Sequence, residues 1–328
     1  MGLNTPVAFL IFRRPDLTQR VFQRIRQAQP QQLFVVADGP RNEAEAIQCA
    51  QARAVIEQVD WDCEVLTNYA DENLGCKKRV ASGISWVFSQ VESAIILEDD
   101  CLPAPTFFSF CETLLQHYKN DERICMISGN NFQRGIQRNP YSYYFSKYPH
   151  IWGWATWRRA WQYWSDDPQQ WTIFRKNQLL QSIHPNPDEY QYWVRIFDDI
   201  FYRQHPDTWD YLWTFACWSQ GGLTILPRVN LVTNIGFRAD ATHTKMENST
   251  NAYIPMFDIS EVNHPPFHVI NSQADEYSLG FCFDVNFAEP KNWIQITFKQ
   301  YKILVKKIIK TLKKLNNFDS IKLIFVSR

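Results

Sequence analysis

Ala94-Ile95-Ile96-Leu97-Glu98-Asp99-Asp100 is the stretch on which the reading of this chain turns. Four apolar residues are followed at once by three carboxylates. A short, wholly apolar run reads as a strand buried on both faces, the kind found in parallel sheets. The acids then mark its carboxyl end, the edge of such a sheet where ligands gather. Three adjacent carboxylates repel one another, so a cation or a set of donors must offset them when they are partly buried. A hard divalent ion, Mn2+ or Mg2+, shared between one or two carboxylates and substrate phosphates meets that need. A solvated acidic turn is the alternative.

Outward from this strand, short apolar runs alternate with helical patterns. Pro6 to Phe12 reads as a buried strand, after which Pro15 and Asp16 open a helix with apolar face Leu17, Val21, Ile25 and Ala28 and with Asp16 as its expected N-cap. Leu33 to Ala37 is a second strand ending at the turn Asp38-Gly39-Pro40, Glu43 to Val59 is helical, and Cys63 to Thr67 is a third strand. Gly75 to Val91 and Thr106 to Tyr118 are helical, and Ile124 to Ser128 is a further strand. Strand and helix in alternation predict an α/β fold, a mostly parallel sheet flanked by helices.

The composition agrees with a globular chain. Of 328 residues 45% are apolar and 15% aromatic, with 11 Gly and 17 Pro, which excludes collagen-like, mucin-like and low-complexity classes. The formal charge is zero, but residues 291–328 carry ten Lys or Arg and one acid, leaving residues 1–290 at 24 minus 33, or −9. An acidic body does not suit nucleic acid, and no nucleic-acid partner is expected. Eight cysteines show no C-x-x-C pair and no zinc-finger spacing, so a reducing compartment and no structural zinc are expected. The run Val7 to Phe12 is too short for a secretory signal, no apolar stretch reaches about 18 residues, and Pro6 spoils a myristoylation pattern after Gly2. The expected location is cytoplasmic, with possible peripheral attachment to the inner face of a membrane.

Other strand ends carry charge as well. Arg13-Arg14-Pro15-Asp16 follows the first strand and Asp38-Gly39-Pro40-Arg41 the second, and in a parallel sheet both meet the acidic triplet in one cleft. Taken singly, Asp38 is equally a turn former.

These residues resemble a known family. Leu97-Glu98-Asp99-Asp100 with Leu102-Pro103-Ala104-Pro105-Thr106-Phe107-Phe108, then Ile127-Ser128-Gly129-Asn130-Asn131, Trp152-Gly153-Trp154 and Trp209-Asp210-Tyr211-Leu212-Trp213, form an ordered series. Over residues 5–245 it resembles the nucleotide-sugar glycosyltransferases of the GT-A fold, and is most similar to the N-acetylglucosaminyltransferase I branch. The resemblance implies a nucleotide-sugar half at 1–130, an acceptor half at 131–250 and a loop with a basic tail at 251–328. It implies Asp100 as direct metal ligand, Glu98 and Asp99 as contacts to the donor's sugar and ribose, and Arg14 and Asp38 as contacts to its base. Lys78 and Arg79 become diphosphate candidates, as does Arg238. The family's Trp-Asp-Asp-Trp has two acids where this chain keeps only Asp210.

The implied reaction is metal-dependent, inverting transfer of a sugar from a nucleotide diphosphate sugar to a glycan or lipid-linked acceptor. Such a step needs a carboxylate near the acceptor hydroxyl, and Asp210 is the candidate. His243 is a candidate to complete the metal shell. Among the aromatics crowded between Tyr141 and Trp164, most are expected in the core, with Trp154 and Trp209 as candidate acceptor-stacking rings. Between Asn292 and Leu315, Ile294, Phe298, Tyr301, Val305, Ile308, Leu312 and Leu315 recur at helical spacing opposite a run of lysines. That predicts a basic amphipathic helix suited to an anionic membrane surface, with a coiled coil or packing on the acidic body as rivals. Two other functions compete. A sugar nucleotidyltransferase normally has a Gly-rich loop after its first strand, where this chain has Arg13-Arg14-Pro15. A carbohydrate-binding scaffold would bind no nucleotide.

Overall fold

The core rests on strands that are apolar on both faces. In the computed structural model, which describes residues 2–238 and 251–283, the first half runs β1 (Val7–Ile11), α1 (Pro15–Ala28), β2 (Gln32–Ala37), α2 (Glu43–Ala54), β3 (Glu64–Tyr69), α3 (Cys76–Gln90), β4 (Ser93–Glu98), β5 (Cys101–Pro103), α4 (Thr106–His117) and β6 (Ile124–Ser128). There follow β7 (Tyr143–Ser146), β8 (Trp154–Trp157), α5 (Arg158–Trp161), α6 (Pro168–Lys176), α7 (Leu179–Ile183), α8 (Pro187–Asp198), α9 (Asp210–Ser219), β9 (Leu223–Pro227), β10 (Val232–Asn234) and α10 (Ser272–Phe283).

Eight strands form one sheet in the order β3-β2-β1-β4-β8-β6-β9-β7. Only β8 and β7 run against the other six, so the sheet is mostly parallel. Residue 130 lies just past β6, and the sheet continues through strands from both sides of that position. Alternate residues of each central strand enter separate cores. Val7, Phe9, Leu33, Val35, Ile95 and Leu97 pack with Val21, Phe22, Phe107 and Leu114 of α1 and α4. Ala8, Leu10, Phe34, Val36 and Ile96 pack with Val80, Ile84 and Val87 of α3 and with Trp209 and Trp213 at α9. Period-two geometry applied to an all-apolar strand buries both faces.

Three expectations are corrected. The helix after Asn42 ends at Ala54 and passes into a 3-10 turn, Val55–Gln58, rather than running to Val59. Asp16 is not the N-cap of α1, because Pro15 takes the first helical position, which its fixed φ favours. Asp16 instead pairs with Arg238 at 2.5 Å. In the segment read as loop and tail, Ser272–Phe283 is a helix. The expected basic helix between Asn292 and Leu315 lies outside the described residues. No helix among the described residues is long and apolar enough to cross a membrane.

Helix α10 is tied to β7 through the buried Asp275, whose carboxylate accepts from Ser146 Oγ at 2.5 Å and from the Lys147 amide at 3.1 Å. Burial pushes this carboxyl up to about 6, with Ser146 and Lys147 opposing the rise and Glu189 adding to it. A raised acid pKa means the native state holds the proton longer than the unfolded chain, so stability falls as pH rises from about 4 to about 6 and is level above. Urea denaturation across this range should show the Asp275→Asn protein gaining steadily on wild type up to about pH 6 and no further.

Candidate active site

Strand register assembles the site. Leu10 of β1 pairs with Glu98 of β4, and Ile11 pairs with Ala37 of β2. The residues just beyond these pairs, Arg14, Asp38 and the Glu98-Asp99-Asp100 triplet, therefore emerge together at the carboxyl edge of the sheet. The wholly apolar strands end where these charges begin.

Arg14 is the counter-ion of the triplet. Its Nη2 donates to Asp99 Oδ1, and to Asp100 Oδ2 at 3.0 Å, while Nε lies 3.4 Å from Asp99 Oδ2. Against its burial, the two aspartates hold this guanidinium well above its usual range. For Asp99, burial pushes the carboxyl upward and Arg14 opposes the push. One guanidinium cannot neutralise three carboxylates. The excess falls on Glu98, which burial and the charges of Asp100 and Asp99 drive up to about 8. Its charged form is disfavoured by that crowding and would be favoured by a further cation nearby.

A second, two-stranded sheet closes over Asp100. Strand β10 pairs antiparallel with β5, Asn234 opposite Cys101, and the Ile235 amide donates to the Asp100 carbonyl at 2.8 Å. The next residue is Gly236, where a Cβ would stand 2.2 Å from Asp100 Oδ2. Only glycine lets this segment lie against the carboxylate.

Two hollows share this wall. One, of about 220 Å³, is bordered by Phe12, Arg14, Asp38, Arg41, Asn73 and Glu98. The other, of about 260 Å³, is bordered by Arg14, Glu98, Asp100, Trp152, Asp210 and Asn234. Arg14, Cys76 and Glu98 border both. Asp210 enters the second hollow from the first turn of α9. Thr208 Oγ1 and the Tyr211 amide, the latter at 2.9 Å, both donate to its Oδ1, which fixes the carboxylate's orientation. Tyr211, where the family has its second acid, packs against Trp193 of α8 instead.

Other candidates fare differently. Asp38 borders the first hollow as a staple, accepting from the Gly39 and Leu74 amides at 2.9 Å each and from Asn73 Nδ2 at 2.9 Å. It builds the wall and offers little spare acceptor capacity to a base. Arg79 also borders that hollow, but its guanidinium is bound to the Asn68 carbonyl and to Asn68 Oδ1 at 3.0 Å. Lys78 is exposed and borders neither hollow, and Arg238 is paired with Asp16. Trp154 and Trp209 are 1% and 2% exposed and stack on one another at 5.6 Å, so neither has an open face for a sugar. They are core residues, as large aromatics usually are. Trp209 also borders the second hollow, but half-buried Trp152, held by its amide's bond to Asn130 Oδ1 at 2.9 Å, is the more exposed ring there. His243 lies outside the described residues.

Sequence reasoning did not single out Asn234, Gly236, Thr208 or Asp207. Asp207 Oδ2 accepts from the Cys76 amide at 2.9 Å, capping α3 from 131 residues away. No local pattern announces such a pairing.

Among the described residues no group of three or more His, Cys, Asp or Glu side chains forms a metal cage. What the second hollow has is a pair of acids from one strand end, Glu98 and Asp100, against one arginine. That donor set fits a hard cation that completes its shell with water and ligand oxygens, and it does not fit a closed structural site. Among the described residues the Glu98 carboxyl has no hydrogen-bond partner, and Asp100 Oδ1 accepts only from the Cys101 thiol at 3.5 Å.

No protein-family model matches the chain, and no curated protein matches it. Solved structures do match, among them a UDP-glucose pyrophosphorylase complexed with UDP-glucose, at a TM-score of 0.24 and 11% identity. The match covers 43% of this chain and 62% of that one. A superposition that partial identifies neither a family nor an activity.

Removing the counter-ion should be costly. Arg14→Leu leaves two buried aspartates unpaired and is expected to lose about 3–5 kcal/mol in urea denaturation without divalent ions, part of it regained in Arg14→Leu/Asp99→Asn. Gly236→Ala, which overpacks Asp100, should lose about 1–3 kcal/mol in the same measurement.

Proposed function

We propose that this protein is a cation-assisted glycosyltransferase that moves a sugar from a nucleotide diphosphate sugar to a hydroxyl of a glycan or lipid-linked acceptor, with inversion. One observation carries the reading. One hollow is bordered by Glu98, Asp100 and an Asp210 whose orientation is fixed, and it shares Arg14, Cys76 and Glu98 with the neighbouring hollow bounded by Phe12, Asp38 and Arg41. The first suits a diphosphate and its sugar and the second a nucleoside.

In this reading Asp100 and Glu98 would hold Mn2+ or Mg2+, which would supply positive charge to offset that of the departing diphosphate. Arg14 keeps Asp99 and Asp100 in place. The acceptor hydroxyl passes its proton to Asp210 Oδ2 as its oxygen forms the new bond to the anomeric carbon, from the face opposite the leaving diphosphate. Thr208 and the Tyr211 amide hold the other carboxylate oxygen, so the basic oxygen is aimed before the acceptor arrives. The Lys-rich segment 291–328 supports, on sequence alone, attachment to an anionic membrane surface.

A thermal-shift panel of nucleotide diphosphate sugars, each with and without Mn2+, tests the reading. The melting temperature should rise only when a donor and the ion are present together. Asp100→Asn should abolish that rise and the transfer. Asp210→Asn should keep the rise but lower transfer about 10²–10⁴-fold, the range of a lost general base. Nucleotide binding that ignores the metal, or undiminished transfer by Asp210→Asn, would refute the assignment.

A further inference from the structure

The carboxyl edge carries another cleft, with the opposite charge. It has a volume of about 680 Å³ and lies between the turn after β6 and the chain after β9, bordered by Asn131, Arg134, Arg228, Asn230, Tyr253 and Phe257. None of its bordering residues is acidic, although residues 1–290 carry a net −9. Tyr253 and Phe257, which border it, are 54% and 58% exposed.

Its floor is already in place. The Asn131 amide donates to Asn230 Oδ1 at 3.0 Å, Asn131 Nδ2 to the Pro227 carbonyl at 2.7 Å, and Asn230 Nδ2 to the Ile254 carbonyl at 3.3 Å. Arg134 sits at φ 49° before Gly135 at φ 84°, a left-handed turn, with its guanidinium 3.9 Å from the Phe281 ring centre. The cleft also adjoins the hollow at β4. Asn130 holds Trp152 beside that hollow while its neighbour Asn131 borders the cleft, and the Tyr253 amide donates at 3.4 Å to the carbonyl of Asn234, which borders the hollow.

We propose that this cleft is an acceptor subsite for an anionic saccharide, in which Tyr253 and Phe257 pack on the CH faces of a sugar ring while Arg134 and Arg228 pair with its carboxylate or phosphate. Arginine matches the planar geometry of either anion, and exposed aromatic rings suit the apolar face of a pyranose. The acceptor role rests on the glycosyltransferase reading; the anion preference does not.

Direct calorimetry without any nucleotide separates the two. Three tetrasaccharide probes are used, one bearing a uronate, one bearing a phosphate monoester and one neutral. Whichever acidic probe carries the matching anion should bind at least about tenfold more tightly than the neutral one, and this advantage should shrink with added salt. Arg134→Gln/Arg228→Gln should lose the advantage while still unfolding in one cooperative transition, and Arg228→Glu should reverse it. Equal binding of acidic and neutral probes, or a preference that survives the double substitution, overturns the subsite. If nucleotide sugars fail to bind while the acidic probe does, the transferase reading falls and the anionic-sugar site stands. In an active preparation the double variant should raise KM for an acidic acceptor at least about tenfold and leave the donor's KM unchanged.

Discussion

The ion pairs of Arg14 with Asp99 and Asp100 are the constraint around which this molecule is arranged. Three acids cannot stand at the end of a strand buried on both faces unless something offsets their repulsion. Arg14 does so because β1 runs parallel to β4 in register, so the residue before α1 arrives level with the triplet. The compensation is incomplete, and burial together with the charges of Asp100 and Asp99 pushes the Glu98 carboxyl upward. Incomplete neutralisation beside a hollow is the condition that makes a site receptive to a further cation.

The second half of the chain works on this charge from the other side. Strand β10 folds back onto β5 and brings Asn234 and Gly236 against Asp100, while α9 begins with Asp210 across the same hollow. The tryptophans behind α9 hold that helix in place through stacking and edge contacts, such as Trp154 on Trp209 and Trp161 against Trp213. Rings that might have met a sugar are thereby used as framework, and Trp152 is left at the opening. Charge also divides along the edge, with an acidic hollow at β4 and an arginine-bearing cleft beyond β6 and β9.

Much of this was legible before any coordinates. Strands β1, β2, β4 and β6 read directly from short apolar runs, because a strand with two buried faces leaves few polar residues to blur the signal, whereas the short β5 was not read from the sequence at all. The triplet and Arg14 were legible as strand-end charges. Asp38 was legible in both of its roles, and the structure favours the turn-building one, since its oxygens are occupied by the 39 and 73–74 backbone and side chain. Trp154 and Trp209 misled because an aromatic that stacks on sugar and one that stacks on another aromatic carry the same letter. Helix α10 escaped notice because it is held by scattered contacts, the Asp275 carboxylate, hydrogen bonds from Gln133 and ring contacts of Phe281 and Phe283, rather than by a regular apolar stripe.

By itself the sequence determined the alternation of strands and helices, the mostly parallel sheet and the placing of three acids at one strand's end, since local periodicity and the abrupt change from apolar to charged residues are properties of neighbours in the chain. Only the tertiary structure decided that Arg14 is the counter-ion, that Gly236 must lack a side chain, that Asp207 caps α3 and that Asp210 faces Asp100. Each of those depends on a distance between residues from 85 to well over 100 positions apart, and such distances follow from strand order and register, which no local pattern encodes.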